Sequence, residues 1–149
     1  MSLAITVRQR FMLAVLAAAG AGKIFTPLRI QWLFYRVYSE AARHPDLREI
    51  VPAPPFQFIV YPYGPLDVAV YDDLDRLQQV DLITLTFERY QTYALNAAGW
   101  KTGSAALAEQ DTELRSFLVG CSSWALALDV HTFVTVMFNQ FPELVPVGK

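Results

Sequence analysis

Residues that form disulfides and metal sites are scarce in this chain. Its 149 residues include one cysteine, Cys121, and two histidines, His44 and His131, which lie far apart in the sequence. A single cysteine excludes an internal disulfide framework and fits a reducing compartment. Neither histidine belongs to a zinc-type spacing such as HExxH, and no CxxC pair occurs. We therefore expect no bound metal and no cofactor.

Long apolar runs are absent as well, although the chain is hydrophobic. Hydrophobic residues make up 54% of the sequence and charged residues only 17%. Even so, no uncharged run approaches the ~20 residues that cross a bilayer as a helix. The length fits one domain that buries a sizeable core. These features predict a single cytoplasmic domain over residues 1–149, with no membrane partner.

The net charge of −2 hides an uneven distribution of charge along the chain. Residues 1–48 contain seven Arg or Lys and two Asp or Glu, whereas residues 49–149 contain five and twelve. The two parts therefore carry net charges of opposite sign. Such an asymmetry predicts a charged partner, or a head-to-tail contact between two copies of the chain.

The N-terminal segment has two interpretations. VRQRFMLAVLAAAGAGK places arginines before an apolar stretch that ends in small residues, which imitates a secretory signal over residues 8–22. The alternative is an amphipathic first helix over residues 6–19 that ends at Gly20 and Gly22. We favour the helix, because without it the rest of the chain lacks a partner to pack against. Cleavage of the native protein near Ala21 would favour the signal.

The middle of the chain has the element order of a winged helix-turn-helix. Thr26 and Pro27 predict the start of a long helix, which ends before Pro45. A proline-rich connection then leads to a short strand over residues 56–61 and to a rigid turn over residues 61–65.

A second helix and a hairpin complete this winged-helix pattern. Asp67 is expected to cap a helix that extends to Gln79, and strands over residues 82–86 and 90–95 follow. The buried stripe of the helix is predicted to consist of Val70, Tyr71, Leu74 and Leu77. The packed face of the hairpin is predicted to consist of Ile83, Leu85, Tyr93 and Leu95.

The C-terminal part is predicted to be helical and strongly apolar. Asn96 caps a helical turn that we expect to be interrupted at Gly99 and Gly103. Two helices follow, over residues 104–128 and 129–141. Together they carry more apolar surface than one helix face supplies, which predicts a central place in the fold and burial in a homodimer.

The predicted fold class is α+β and mostly α. A winged-helix-like part with a small β-hairpin is expected over residues 1–103, additional C-terminal helices over residues 104–143, and a tail over residues 144–149.

No group of residues indicates catalysis. AAAGAGKI superficially resembles a phosphate-binding loop, but Ala17 stands where glycine is needed and Ile24 where a hydroxyl is needed. Cys121 lies in an apolar helix, where a free cysteine packs as a small hydrophobe, and no base is near it in sequence. We therefore predict no catalytic residues and no enzymatic activity.

A basic stripe is the first candidate contact surface. Arg29, Arg36 and Arg43 recur at steps of seven along the long helix, an arrangement suited to an acidic partner or a nucleic-acid backbone. The ordinary interpretation is that these side chains cover the flank of the helix, with Arg36 paired to Glu40.

Two tyrosines and an acidic helix are the other candidate surfaces. Tyr61 and Tyr63, with Phe56, form either a recognition patch or packing under the proline turn. The helix after Asp67 occupies the DNA-reading position of a winged helix, yet Asp72 and Asp75 are expected on its outer side. Because duplex DNA is a dense polyanion, such a helix is repelled from the groove.

These segments resemble a known family. TPLRIQWLFYRVY, FQFIVYPYGPLDVAVYDDLDRLQQVDLI, YQTYALNAAGWK and LDVHTFVTVMFNQFPE follow the order of motifs in the prokaryotic SocA-like group, the Panacea-domain proteins. The matching positions are Tyr63-Gly64-Pro65, Val70-Tyr71, Leu74, Leu77, Leu82-Ile83, Tyr93-Ala94-Leu95, Gly99 and Phe141-Pro142-Glu143. The departures are Gln31, which lacks the lysine that usually follows it, Val80-Asp81 in place of a glycine, and Asn96 in place of a threonine.

The resemblance implies a compact helical domain with a small hairpin, of a kind whose members act as antitoxins or as adaptors that bind proteins. We therefore expect a non-enzymatic protein-binding module of a prokaryote or its phage, with a toxin or a protease-adaptor client as partner. The alternative is a winged-helix transcriptional regulator that contacts DNA through the arginine stripe. A phage or mobile-element protein without a catalytic role is a second alternative.

Overall fold

The structure is a computed structural model that describes residues 5–43, 58–61, 64–127 and 129–144. The proline-rich connection, Phe56 and Tyr63 lie outside the described residues, as do the side chains of Arg43 and Tyr61. The predictions made for them have no structural counterpart here.

The fold is α+β and mostly helical, as predicted. The helices of the described residues are α1 (Val7–Ala17), α2 (Pro27–Arg43), α3 (Val68–Gln79), α4 (Ala97–Ala108), α5 (Thr112–Ala127) and α6 (Val130–Gln140), with a 3₁₀ turn at Pro142–Leu144. The strands are β1 (Ile24–Phe25), β2 (Ile59–Tyr61), β3 (Gly64–Leu66), β4 (Ile83–Phe87) and β5 (Gln91–Leu95). Apart from β2 and β3, which are inserted between α2 and α3, the order α1, β1, α2, α3, β4, β5 is that of a winged helix, and α4 to α6 follow it.

The wing is an antiparallel sheet of three strands in the order β1-β5-β4. Its predicted packed face is confirmed, since Ile83 lies opposite Leu95 and Leu85 opposite Tyr93, and Ile83 and Tyr93 are buried. β1 adds Phe25 opposite Tyr93. This third strand was not predicted, because two residues are too few to form a periodic pattern.

A second hairpin lies just before α3. β2 and β3 pair with Tyr61 opposite Gly64, so the residues predicted as a turn include the start of a returning strand. Gly64 has φ +133°, a conformation that strains any residue with a side chain. A Cβ at Gly64 would also overlap the indole ring of Trp32, so glycine is required there for two reasons.

The predicted helix caps at Asp67 and Asn96 are confirmed, and Thr6 with Gln9 forms a capping box at the start of α1 that was not predicted. Asp67 accepts a hydrogen bond from the backbone N–H of Ala69 at 2.9 Å. Asn96 accepts one from Gly99 at 2.8 Å. Each side chain satisfies a backbone donor that the helix itself leaves without a partner.

The prediction that α1 is amphipathic was wrong. Met12, Leu13 and Val15 are fully buried, and Arg8 and Gln9 on the same helix are buried too. A helix that is apolar on every side belongs in the centre of a fold. α1 is therefore a core helix, which packs chiefly against α4 and also contacts α3, α5 and β5.

The predicted interruption at Gly99 and Gly103 was also wrong. α4 runs through both residues, and each permits a close backbone approach: a Cβ at Gly103 would lie 2.5 Å from the carbonyl oxygen of Leu13. The break comes later, between Ala108 and Thr112. There Asp111 accepts a hydrogen bond from Leu114 N at 2.8 Å and starts α5 as a separate helix.

The apolar residues of the C-terminal helices largely fill the core. Phe133, Met137 and Phe141 have no exposed surface, and the rings of Phe133 and Phe141 lie 6.5 Å from the ring of Trp32 on α2. α5 joins the same core through Leu118 and through Ser122, whose hydroxyl donates to the carbonyl of Val15 at 2.6 Å.

Candidate functional site

The basic stripe predicted on α2 faces the C-terminal helices. Nη1 of Arg29 donates to the carbonyl oxygen of Ala125 at 2.6 Å, and its guanidinium lies 5.2 Å from the ring centroid of Phe133. Burial lowers the pKa of Arg29, while the charges of Asp129 and Tyr90 act in the opposite direction. Arg29 is therefore partly buried and held against α5 and α6.

Arg36, seven residues further along α2, also contacts the C-terminal helices. Its Nε donates to Oε1 of Glu40 at 3.0 Å, which is the i, i+4 pair expected from the sequence. Its guanidinium lies 4.2 Å from the ring centroid of Trp124 on α5, a distance typical of a cation–π contact. Nη1 of Arg36 is buried and has no hydrogen-bond partner among the described residues.

The other arginines of the N-terminal part are engaged as well. Nε of Arg8 donates to Oδ2 of Asp73 at 2.7 Å, and Nη2 of Arg10 donates to Oε2 of Glu109 at 2.6 Å. Four of the positive charges in the basic part of the chain therefore make internal contacts. The described residues of this part offer little of the cationic surface that binding of a polyanion requires.

The acidic helix divides its aspartates between the interior and the surface. Asp73 is turned inward to Arg8, and Nε2 of Gln9 donates to its second oxygen at 3.0 Å. Asp72 and Asp75 are exposed, as predicted, and within the described residues neither has an ion-pair partner within 4.0 Å. The outer side of α3 thus presents uncompensated carboxylates.

The buried cluster around Asp73 was missed by sequence reasoning. Asp67 lies in the same cluster, with an oxygen 3.9 Å from Nη2 of Arg8, and side chains of both residues are almost fully covered. A signal was present in the sequence, because Arg8 and Gln9 interrupt an otherwise apolar helix. Their partners lie more than 60 positions away, and no local pattern identifies them.

A second polar contact sets the start of α3. The side-chain amide of Gln31 on α2 bonds both backbone groups of Asp67: it accepts from N–H at 3.0 Å and donates to C=O at 3.1 Å. Both residues are buried. Because a buried amide needs its partners, this pairing fixes where α3 leaves the β2–β3 hairpin.

The wing carries an open face on the side of the sheet opposite Ile83, Leu85 and Tyr93. A shallow cleft of about 480 Å³ is lined by Ile24, Thr86, Thr92 and Ala94 from the three strands and by residues 88–90 of the turn. Ile24, Phe87 and Tyr90 are 60%, 70% and 64% exposed. Apolar side chains at such exposure on a small wing are a common feature of surfaces that contact a partner.

Asp75 lies near this wing. Burial raises the pKa of Tyr93 on β5; a hydrogen bond from Gln91 lowers it, and the negative charge of Asp75 raises it further. α3 also packs directly against β4 of the same sheet. The acidic surface of α3 and the wing are therefore neighbours.

Metal-ligand clusters and a reactive thiol are both missing from the described ranges. The described residues hold no group of three His, Cys, Asp or Glu placed to bind a metal ion. Cys121 is buried, and burial raises its pKa to about 12, so almost no thiolate is present at neutral pH. None of the helices in the described part of the chain is both long and apolar enough to cross a bilayer.

Comparisons with known proteins add no relative. A scan against protein-family models, a search of curated proteins and a search of solved structures each return no match to this chain. The resemblance to the SocA-like group therefore stays an expectation from its motifs.

Proposed function

We propose that this chain is a non-enzymatic protein-binding module of the antitoxin or adaptor type, which acts in the cytoplasm of a prokaryote or its phage. The observation that carries the proposal is the outer side of α3. In the reading position of a winged helix it exposes Asp72 and Asp75, so the scaffold presents negative charge where a DNA reader needs positive charge.

The contacts that the arginines of α2 make within the chain support the same proposal. Arg29 and Arg36 are two of the three cations on which the DNA-binding alternative rests, the third being Arg43, whose side chain lies outside the described residues. Arg29 and Arg36 both contact aromatic rings of the C-terminal helices. Withdrawing them to meet a phosphate backbone would remove these contacts and the hydrogen bond to Ala125. A protein partner imposes no such cost, since α3 and the wing are already exposed.

Site-specific photocrosslinking in cells that naturally encode the chain tests the proposal. Benzoylphenylalanine replaces Gln78, which is exposed near the end of α3, and in a matched control it replaces Gln140, which is exposed at the end of α6. We expect a discrete protein adduct at position 78 that survives nuclease treatment and is missing at position 140. Adducts at position 78 that nuclease removes would favour the transcriptional regulator instead and overturn the proposal.

A further inference from the structure

β4 is an edge strand with an open side. The sheet order is β1-β5-β4, and within residues 5–43, 58–61, 64–127 and 129–144 no strand pairs with the outer edge of β4. Alternate backbone N–H and C=O groups of an edge strand point away from the sheet and have no ladder partner. The outer edge of β4 therefore offers a row of hydrogen-bonding groups.

Two of the features that usually protect an edge strand from added partners are missing from β4. Its sequence ITLTF contains no charged residue and no proline. Thr84 and Thr86 are exposed, and Phe87 at its end is 70% exposed. β-branched and aromatic residues in this proportion also favour an extended partner.

Carboxylates surround the edge. Asp81 comes just before β4 and Glu88 just after it, and both are exposed. Asp72 and Asp75 are exposed on α3, which packs against β4, and the negative charge of Asp75 raises the pKa of Tyr93 on β5. The turn also exposes one basic residue, Arg89, next to Glu88. The acidic residues around the edge outnumber this single positive charge.

We propose that the outer edge of β4 binds an extended, basic segment of a partner protein as an additional strand of the wing. This inference rests on the proposed protein-binding function and specifies the partner. In an added strand, side chains alternate between the two faces. One set would lie on the side of α3, which exposes Asp72 and Asp75, and the other on the side of Thr84 and Thr86. The set on the side of α3 is therefore basic, which places basic residues at every second position of the bound segment.

A second copy of the chain fits this edge poorly. Pairing β4 with another β4 would bring two identical sets of carboxylates together, and like charges across a strand pair are destabilising. Complementary charge therefore favours a basic segment from a different protein.

Nuclear magnetic resonance with a defined peptide tests the inference on the intact chain. The probe is a blocked eight-residue peptide of alternating Lys and Val. We expect saturable binding, chemical-shift changes in β4 and α3, and slowed hydrogen exchange at alternate β4 amides. A peptide of alternating Glu and Val of the same length serves as the charge control and should not bind.

A backbone control separates strand addition from attraction between charges. The same Lys–Val peptide with N-methyl groups on alternate residues along one edge keeps its charge but cannot complete the ladder. Strand addition predicts at least a tenfold loss of affinity for it. Equal binding of the methylated peptide would overturn the inference, and so would alternate β4 amides that are already protected in the protein alone, since that edge would be occupied.

Charge variants provide a second readout. Asp75→Asn should weaken binding of the Lys–Val peptide about threefold, as expected for one exposed ion pair. The control Glu113→Gln removes an exposed carboxylate from α5 and should leave the affinity unchanged. If the Lys–Val peptide does not bind while position 78 gives a nuclease-resistant protein adduct, only the binding site on the β4 edge is rejected. If the adducts at position 78 are removed by nuclease, the protein-binding function itself is rejected.

Discussion

Nε of Arg8 donates to Oδ2 of Asp73 across 2.7 Å, although 65 positions separate the two residues. The bond joins the central helix α1 to the acidic helix α3, and Gln9 completes it by donating to the other carboxylate oxygen at 3.0 Å. Asp73 is thereby committed to the interior. The neighbouring Asp72 and Asp75 are left to face solvent, and the proposed function depends on that division.

Removing the carboxylate of Asp73 should destabilise the fold strongly. In Asp73→Ala, the guanidinium of Arg8, whose side chain is only 8% exposed, loses its closest counter-charge. Breaking a buried ion pair from one side costs about 3 kcal/mol or more. Urea unfolding measures the loss. The adjacent Asp72→Ala is the control and should change stability by less than about 0.5 kcal/mol. Equal effects of the two substitutions would contradict the division described above.

Two helical glycines should respond to alanine with opposite signs. A Cβ at Gly103 would lie 2.5 Å from the Leu13 carbonyl oxygen and 3.0 Å from Cβ of Ala17, so Gly103→Ala should destabilise by forcing α1 and α4 apart. At Gly120 on α5 nothing lies within 4 Å, so Gly120→Ala should stabilise by up to about 1 kcal/mol through helix propensity. Thermal unfolding of the two variants checks both signs, and a gain from Gly103→Ala would refute the close packing of α1 on α4.

The thiol of Cys121 should be inert in the folded protein. Its pKa is raised to about 12 by burial, with Arg36 acting to lower it and Glu40 to raise it. At pH 8 a disulfide reagent should label Cys121 only as fast as the chain opens, and rapidly in urea. Fast labelling of the native protein would contradict the burial of Cys121.

The raised pKa of Cys121 also affects the stability of the folded protein at high pH. Because the folded pKa lies above the unfolded value of about 8.5, the folded state holds its proton where the unfolded state releases it. This contribution to stability is therefore complete below about pH 8.5 and is lost as the pH rises toward 12. Unfolding measured at pH 8 and pH 10 should show a decline that Cys121→Ala reduces.

A homodimer stays a prediction. It was expected from the apolar C-terminal helices, yet Phe133, Met137 and Phe141 are fully buried within one chain. Val119, at 42% exposure, is an apolar side chain that α5 leaves outside. Light scattering at micromolar concentration should give twice the chain mass of 16.8 kDa. A mass of one chain would contradict the prediction.

The sequence predicts helix caps and the periodicity of buried residues well, because both depend on residues that are close together in the chain. Asp67 and Asn96 were identified as caps because a side-chain oxygen needs only the next few backbone donors. The alternation of Ile83 and Leu85 identified the packed face of the wing, since strands have a period of two. The buried stripe Val70, Leu74 and Leu77 followed from helical periodicity in the same way.

Contacts between distant segments were not predictable. The sequence predicts an interruption at Gly103, because a glycine that breaks a helix and a glycine that admits another backbone look the same in sequence. Arg29 and Arg36 have the spacing of a surface stripe, but in the structure their guanidinium groups lie over the rings of Phe133 and Trp124. In each case the deciding partner lies many residues away.

Fluorescence anisotropy of labelled random duplex DNA, titrated with the intact protein at about 50 mM salt, tests the central claim most directly. Because Asp72 and Asp75 are exposed on α3, the helix in the DNA-reading position of a winged helix, we expect no saturable binding of DNA. The double variant Asp72→Lys with Asp75→Lys should gain measurable affinity for the duplex. Tight binding by the unaltered chain that weakens steeply with added salt would contradict the claim that this scaffold recognises protein.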